Sequence, residues 1–284
     1  MSSLDIKLYH ANWSLCSQMV RVALFEKGLQ FKEKHIKLCD QYPEGENLSK
    51  SFLKLNPLGT VPVININGNI IHDSAKIISE LDKLQGSKDI SLYESADEKT
   101  ESWIKDTTIT EGVEFASTIG TILPVFSAPL IQFMIKKLSI KSIVKILLKH
   151  PRRDRKMIFL SMYFFGIASN MPKIGIKNFA KELLNIENCL TADNEFFYES
   201  FSHVDINMMC LFQRLKDLQL DECLKTNKTP LIKKYWEMLR ERDSYKKGIL
   251  NYYTEKEFQI IKEFYNNKSS VFLKPILEKM EISK

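Results

Sequence analysis

The chain has 284 residues, of which 44% are hydrophobic and 27% are charged, and 41 basic against 35 acidic side chains give a formal charge of +6. This composition excludes a disordered or collagen-like chain, because the apolar content is high and only 10 glycines and 9 prolines occur. Five widely spaced cysteines indicate a reducing compartment rather than a disulfide framework. The N-terminus lacks the pattern of a signal peptide.

Strand and helix patterns alternate along the first 85 residues. In chain order the predicted segments are strand 6–9, helix 18–27, strand 31–38, a helical turn at 49–55, a hairpin around 67–68 and helix 75–84. Gly28 ends the first helix, because glycine readily adopts the left-handed C-cap conformation. Asn67-Gly68 is a strong hairpin signal, and Asp73-Ser74 caps the last helix. This order predicts a thioredoxin-like α/β domain over residues 1–86.

Helical periodicity dominates from Tyr93 onward. It is clearest at 178–190 and 235–246, and no strand pattern accompanies it. We therefore expect an all-helical C-terminal domain over residues 93–284, separated from the first domain by the polar link at 86–93.

Three motifs in the first domain resemble the N-terminal domain of cytosolic glutathione transferases. They are SLCSQMVRVALFEKGL at 14–29, FLKLNPLGTVPVI at 52–64 and the pair Asp73-Ser74. The most similar patterns are those of the zeta class and the tetrachlorohydroquinone dehalogenases, which also carry Ser-x-Cys-Ser seven residues ahead of an arginine, here Arg21. The resemblance implies the glutathione transferase fold, glutathione as co-substrate, a cytoplasmic detoxification enzyme and a homodimer.

Ser14 and Cys16 are the candidate catalytic residues. Ser14 stands where a strand gives way to a helix, and the positive end of that helix favours a thiolate. A hydroxyl donating to the sulfur of glutathione there lowers the pKa of the thiol. Cys16 lies near the same end, so we expect a depressed thiol pKa and a nucleophile able to form a mixed disulfide with glutathione. The structural alternatives are a helix cap for Ser14 and a small buried apolar residue for Cys16.

The resemblance implies the other glutathione-binding residues. Leu15 lies at the same helix end as Ser14. Val61-Pro62 is expected to be a cis-proline site, where the backbone of Val61 pairs with the cysteinyl part of glutathione. Ser74, with Asp73, is expected to take the γ-glutamyl carboxylate, although many relatives have Glu or Gln in place of Asp73. A strand-opening proline and an ordinary helix cap are the alternatives.

In the second half, Ser202-His203-Val204-Asp205 is a capping box. It resembles the N-capping box of the long core helix of the transferase C-terminal domain, which extends the resemblance to about residues 178–250. We expect His203 to be solvated. The histidines fall at no metal-ligand spacing, and neither a P-loop nor a dinucleotide-binding glycine motif is present, so the sequence predicts no metal site and no nucleotide site.

The motif matching stops over an insertion at about 110–173. Residues 115–135 contain no charged side chain, whereas residues 136–156 contain nine basic residues and one acid. Lysines recur every four residues from Lys137 to Lys149, as on an amphipathic helix. Three interpretations remain open: a helical pair that covers the cleft and lines the second-substrate pocket, an interfacial helix within 115–156 on an anionic membrane surface, and a membrane span. Nucleic acid is not expected as a partner, since no reader motif is present.

Two functional hypotheses follow. The first is a glutathione transferase, in which Ser14 stabilises the thiolate for attack on a small electrophile by conjugation, isomerisation or reductive dehalogenation through Cys16. The second is a non-catalytic binding or adaptor protein that keeps the fold. Retention of Ser14, Cys16, Pro62 and Ser74 together favours the enzyme.

Overall fold

The computed structural model describes residues 4–88, 90–93, 98–109, 113–166 and 170–282. Its first part combines a four-stranded mixed sheet with three helices. In chain order the elements are β1 (Ile6–His10), α1 (Leu15–Glu26), β2 (Lys32–His35), α2 (Lys50–Leu55), β3 (Val63–Ile66), β4 (Asn69–His72) and α3 (Ser74–Asp82). The strand order is β2-β1-β3-β4; β1 is parallel to β2 and antiparallel to β3, which is antiparallel to β4. The predicted thioredoxin-like layout is confirmed.

Two glycine positions explain how the chain turns between these elements. Gly28 has a φ of +63° directly after α1, as a helix C-terminus requires. Asn67 and Gly68 both have positive φ values, 52° and 91°, which suit the tight turn between β3 and β4. Helix α1 begins three residues earlier than the apolar pattern predicts, because Ser14 caps it ahead of its polar first turn.

All regular secondary structure described within residues 98–282 is helical, as predicted. The α-helices are α4 (Glu98–Thr107), α5 (Ile119–Lys136), α6 (Ile140–Lys149), α7 (Arg153–Phe164), α8 (Asn170–Cys189), α9 (His203–Asp217), α10 (Pro230–Glu241), α11 (Asp243–Gly248), α12 (Glu255–Tyr265) and α13 (Leu273–Ile282). The helix predicted at 235–246 is divided at Arg242, whose backbone is extended and whose guanidinium binds both carboxylate oxygens of Glu26 at 2.8 Å.

Helix α1 joins the first part of the chain to the helical part. It packs against α9 and α11 as well as α3. A Cβ atom on Gly248 of α11 would lie 3.0 Å from the backbone nitrogen of Val22, so this close approach favours glycine. The boundaries 1–86 and 93–284 stay predictions, while the sheet itself ends at His72.

Helix α5 contains the uncharged stretch of the insertion. It is long and apolar enough to cross a bilayer, but 67% of it is buried inside the protein. It packs against α4, α7, α8 and α9, and Pro124 and Pro129 are accommodated within it. The spanning interpretation is therefore not supported, and α5 is a core helix.

Helices α6 and α7, which carry the basic stretch, pack on the first part of the chain. Ile143 and Ile146 of α6 and Phe159 of α7 share an apolar cluster with Cys39 and Leu48, which lie between β2 and α2. The insertion therefore extends over the loop that follows β2.

Candidate active site

The strand register brings three of the predicted segments to one edge of the sheet. Tyr9 at the end of β1 pairs with Val63 at the start of β3, and Val63 pairs with His72 at the end of β4. Residues that follow β1, precede β3 and follow β4 therefore lie at the same edge. These are Ser14 to Cys16, Val61-Pro62 and Asp73-Ser74, in that order.

Ser14 is the N-cap of α1. Its Oγ accepts a hydrogen bond from the amide of Ser17 at 3.3 Å, and its side chain is half-buried. A serine hydroxyl that accepts at a cap still has its own hydrogen to donate. Capping and donation to an incoming sulfur are therefore compatible at this residue. Leu15 is the first residue of α1, where backbone amides have no acceptor within the helix.

Cys16 does not have the electrostatic environment expected from the helix end alone. The residue is half-buried; desolvation of the thiol raises its pKa, and Asp73 adds to the rise. The hydroxyl of Ser74 and the cations of Arg214 and Arg155 act in the lowering direction without reversing the rise in pKa. The expectation of a depressed pKa at Cys16 is therefore wrong, because desolvation outweighs the field of the helix terminus.

The same interactions show which residues lie around Cys16. Ser74 comes from the start of α3, Arg214 from α9 and Arg155 from α7 within the insertion. The N-termini of α1 and α3 thus meet at the thiol. Helix α9 and helix α7 of the insertion both contribute positive charge near it.

Val61-Pro62 is a cis peptide bond, as expected. The preceding loop is held by two buried asparagines that the motif analysis did not single out. Asn56 donates to the backbone carbonyl of Thr60 at 2.8 Å, and Asn47 donates to that of Gly59 at 2.9 Å. The sequence signal for this loop is the presence of asparagines ahead of the Gly-x-x-Pro segment 59–62.

Asp73 and Ser74 begin α3. The carboxylate of Asp73 accepts a hydrogen bond from the amide of Lys76 at 3.1 Å, so Asp73 caps α3. Asp73 also has a φ of 81° and a ψ of 121°, a backbone conformation that non-glycine residues rarely adopt. Ser74 is buried and meets Cys16.

Trp13 is anchored by a buried ionic network on α9. The guanidinium of Arg214 lies 3.8 Å from the centroid of the Trp13 ring and also donates to the Trp13 carbonyl. The indole of Trp13 donates to Asp217 at 2.7 Å, and Arg214 pairs with Asp217 at 3.7 Å. This network is not among the predicted features. Its sequence signal is a pair of opposite charges three residues apart, Arg214 and Asp217, on a helix whose other residues are mostly apolar.

Arg21 of the Ser-x-Cys-Ser motif is structural. Its side chain is fully buried, donates to the carbonyls of Gly248 and Asn12 at 2.7 and 2.9 Å, and stacks on Tyr252 at 4.0 Å. It also contacts the ring of His10 at 3.0 Å. Arg21 thereby fixes the segment that leads into Ser14 against the end of α11.

A small, partly open cleft with a cavity volume of about 10 Å³ lies beside Trp13. Leu130 and Met134 of α5 and Ile260 of α12 contribute apolar walls, and Lys256 and Glu257 contribute one charge of each sign. Lys256 also donates to the carbonyl of Gln41 at 2.9 Å, across the two parts of the chain. The cleft thus lies beside Trp13, the residue that precedes Ser14, and combines apolar walls with a few polar groups.

The capping box of α9 is confirmed, whereas the expected solvation of His203 is wrong. The carboxylate of Asp205 accepts from the Ser202 amide and hydroxyl at 2.7 and 2.8 Å and from the Tyr235 hydroxyl at 2.6 Å. His203 is fully buried and its Nδ1 lies 3.0 Å from the hydroxyl of Tyr93, because the first turn of α9 is enclosed on all sides. Among the described residues, no group of three or more His, Cys, Asp or Glu side chains is arranged to hold a metal ion.

Comparison with known sequences agrees with this geometry. Residues 13–84 match the glutathione S-transferase N-terminal domain family. A glutathione S-transferase TCHQD of Arabidopsis thaliana is 25% identical over 276 residues, which cover 87% of this chain and 91% of that protein. A glutathione S-transferase of Dianthus caryophyllus is 44% identical over 78 residues, 28% of this chain and 34% of that protein. An Arabidopsis glutathione S-transferase Z1 is 37% identical over 78 residues. The chain spans about a third of these last two proteins.

Solved structures show the same fold. A β-etherase from a Sphingobium species superposes with a TM-score of 0.70 at 20% identity, over 86% of this chain and 98% of that one. A bacterial zeta-class maleyl pyruvate isomerase superposes with a TM-score of 0.56 at 18% identity, over 88% and 99%. The chain therefore has the glutathione transferase fold, and its residues 13–84 are similar to the N-terminal domain of glutathione S-transferases.

Proposed function

We propose that the protein is a glutathione-dependent transferase in which Ser14 activates the thiol of glutathione. The observation that carries this proposal is the shared sheet edge: the cap of α1, the cis-proline loop and the start of α3 meet there. A tripeptide laid along this edge meets an extended backbone at Val61 and two helix N-termini.

Each residue has a distinct role in this proposal. The backbone of Val61 before Pro62 pairs with the cysteinyl part of glutathione, and Ser74 with the amides of α3 receives the γ-glutamyl carboxylate. The Ser14 hydroxyl donates to the sulfur while its oxygen keeps the cap of α1. The amide of Leu15 adds positive potential. Together these groups favour the thiolate over the thiol, whose proton passes to solvent.

The electrophile is proposed to bind at the solvent-facing mouth of the cleft between Trp13, α5 and α12. In conjugation, the sulfur forms a bond to carbon while the leaving group departs with its electron pair; in isomerisation, the sulfur adds and is later expelled. The apolar walls of the cleft suit a small hydrophobic electrophile, and Lys256 suits a polar or anionic substituent on it.

The environment of Cys16 favours these two reactions over reductive dehalogenation. A dehalogenase role requires the Cys16 thiolate to attack the sulfur of a glutathione–substrate thioether. The disulfide forms as the sulfur–carbon bond breaks, and the substrate carbon leaves with the electron pair and takes up a proton. Burial disfavours that thiolate, so we assign Cys16 to packing beneath the bound sulfur and Ser14 to the chemistry. A cytoplasmic homodimer with a detoxification role completes the proposal.

Retention on immobilised glutathione and turnover of a panel of electrophiles test the proposal. We expect the wild type to bind and turn over, Ser14→Ala to bind with turnover reduced about 100-fold, and Cys16→Ala to keep most of its turnover. Failure of the wild type to bind glutathione contradicts the proposal. Binding without turnover of any electrophile would instead indicate the non-catalytic binding protein.

A further inference from the structure

Helix α6 exposes an apolar stripe to solvent. Ile140, Val144 and Leu148 are 73%, 46% and 76% exposed and recur every four residues, so they lie along one face of the helix. A ten-residue helix of a soluble domain normally turns such a stripe toward the core. Here the core side is already filled by Ile143 and Ile146.

Lysines border this stripe. Lys141 and Lys149 are exposed and occupy the helix face next to Leu148, and they have no carboxylate partner within the described part of the chain. Lys145, on the same face, donates to the backbone carbonyl of Glu44 and so ties the helix to the loop after β2. The outer surface of α6 therefore carries an apolar stripe beside a row of lysines, and the helix contains no acidic residue.

Helix α7 continues the same surface character. Met157 and Phe164 are 65% and 63% exposed and share a helix face with the exposed Arg153, and Phe165, at the end of the helix, is 87% exposed. Asp154 is the single acid of residues 136–156, and Arg152 neutralises it through contacts of 3.1 and 2.5 Å. We call α6 and α7 together the basic helical pair.

We propose that the basic helical pair docks on the surface of a bilayer that contains anionic phospholipid. Aliphatic and aromatic side chains that alternate with unpaired cations fit the boundary between headgroups and acyl chains. Charge complementarity selects this occupant, because a second copy of the same surface would place cation against cation. The inference is independent of the proposed catalysis, since the exposed side chains named above lie outside the glutathione site and Arg155 of α7, which acts on Cys16, is not among them.

Co-sedimentation of the full chain with vesicles tests this inference. We expect binding to vesicles of phosphatidylcholine mixed with phosphatidylserine, and much weaker binding to phosphatidylcholine alone. The double variant Lys141→Gln/Lys149→Gln should lower the partition coefficient about 30-fold, about fivefold for each lysine. Leu148→Ser should lower it about tenfold.

Matched variants elsewhere control for general effects of charge and apolar exposure. Lys233→Gln/Lys246→Gln removes two exposed lysines, and Val271→Ser removes an apolar side chain that is 80% exposed; both should bind like the wild type. Wild-type binding that is equal on the two vesicle types, or absent, overturns the proposal, as does an equal loss in the control variants. If circular dichroism shows that Leu148→Ser loses helix content, the test rests on the vesicle binding of Lys141→Gln/Lys149→Gln alone.

Discussion

The guanidinium of Arg214 lies 3.8 Å from the centroid of the Trp13 ring and donates to the carbonyl of the same residue. Trp13 directly precedes Ser14, so these contacts with α9 hold the start of α1 in place. The position of the Ser14 hydroxyl thus depends on a residue two hundred positions later in the chain.

Replacing Arg214 with lysine should misplace this segment. Lysine lacks the planar guanidinium that stacks on the indole while it binds Asp217. We expect Arg214→Lys to lower the free energy of unfolding by about 2 kcal/mol and to weaken glutathione binding, as measured by urea titration and calorimetry. Arg240→Lys is the control, because Arg240 is exposed and lies 5.7 Å from the ring of Trp236. Similar losses in both variants would contradict this role.

Cys16 should react slowly with alkylating agents. Burial raises the pKa of its thiol, so at pH 7 the thiolate fraction falls below that of an ordinary cysteine. We expect iodoacetamide to modify Cys16 several-fold more slowly than free cysteine, as followed by peptide mass spectrometry. Ser74→Ala should slow the reaction further, since it removes the hydroxyl that lowers this pKa. Modification faster than that of free cysteine would show that the helix field dominates after all.

Asp205 should be the most sensitive polar residue of α9. Its carboxylate accepts four hydrogen bonds, one from the Phe197 amide at 2.8 Å in addition to those from Ser202 and Tyr235. An amide cannot accept all four, so Asp205→Asn should lower the free energy of unfolding by about 3 kcal/mol. Tyr235→Phe removes one donor and should cost about 1.5 kcal/mol. Chemical denaturation measures both, and an equal cost would exclude the multiple-acceptor explanation.

The burial of His203 predicts an acid-sensitive fold. Burial lowers the pKa of His203 to about 3 from the ordinary 6.5. Between these two pH values His203 is protonated in the unfolded chain but neutral in the folded protein. Stability should therefore be unaffected above pH 6.5 and fall by about 1.4 kcal/mol per pH unit between pH 6.5 and 3. This contribution should be absent from His203→Gln.

The comparison for this prediction is the pH dependence of the unfolding free energy in three proteins. The wild type should lose about 2 kcal/mol more than His203→Gln between pH 7 and 5. His72→Gln, at an exposed site on β4, should retain the wild-type slope. Parallel curves for the wild type and His203→Gln would show that His203 does not titrate as its burial requires.

Local features of the fold could be predicted from the sequence, whereas features set by distant segments could not. Gly28 and the Asn67-Gly68 turn depend on a few neighbouring residues, whereas the cis bond at Pro62 is what the family resemblance implies; all three are as expected. The direction of the Cys16 pKa depends on how α3, α7 and α9 enclose the thiol, and no local pattern contains that information.

The helical part of the chain illustrates the same limit. Periodicity predicts the helices but not that Arg242 interrupts one of them, because the interruption serves an ion pair with Glu26 in α1. The capping box predicts the start of α9. It does not predict that His203 within it is buried, since the enclosing residues include Tyr93, more than a hundred positions earlier.

The pKa of the thiol of bound glutathione tests the central claim most directly. Ultraviolet difference absorbance of the thiolate, followed against pH, should give a value well below the ordinary thiol pKa of about 8.5. Ser14→Ala should return it toward that value, whereas Ser139→Ala, which removes a cap of the same 3.3 Å geometry from α6, should leave it lowered. An unshifted pKa in the wild type, or a shift that survives in Ser14→Ala, would contradict the account.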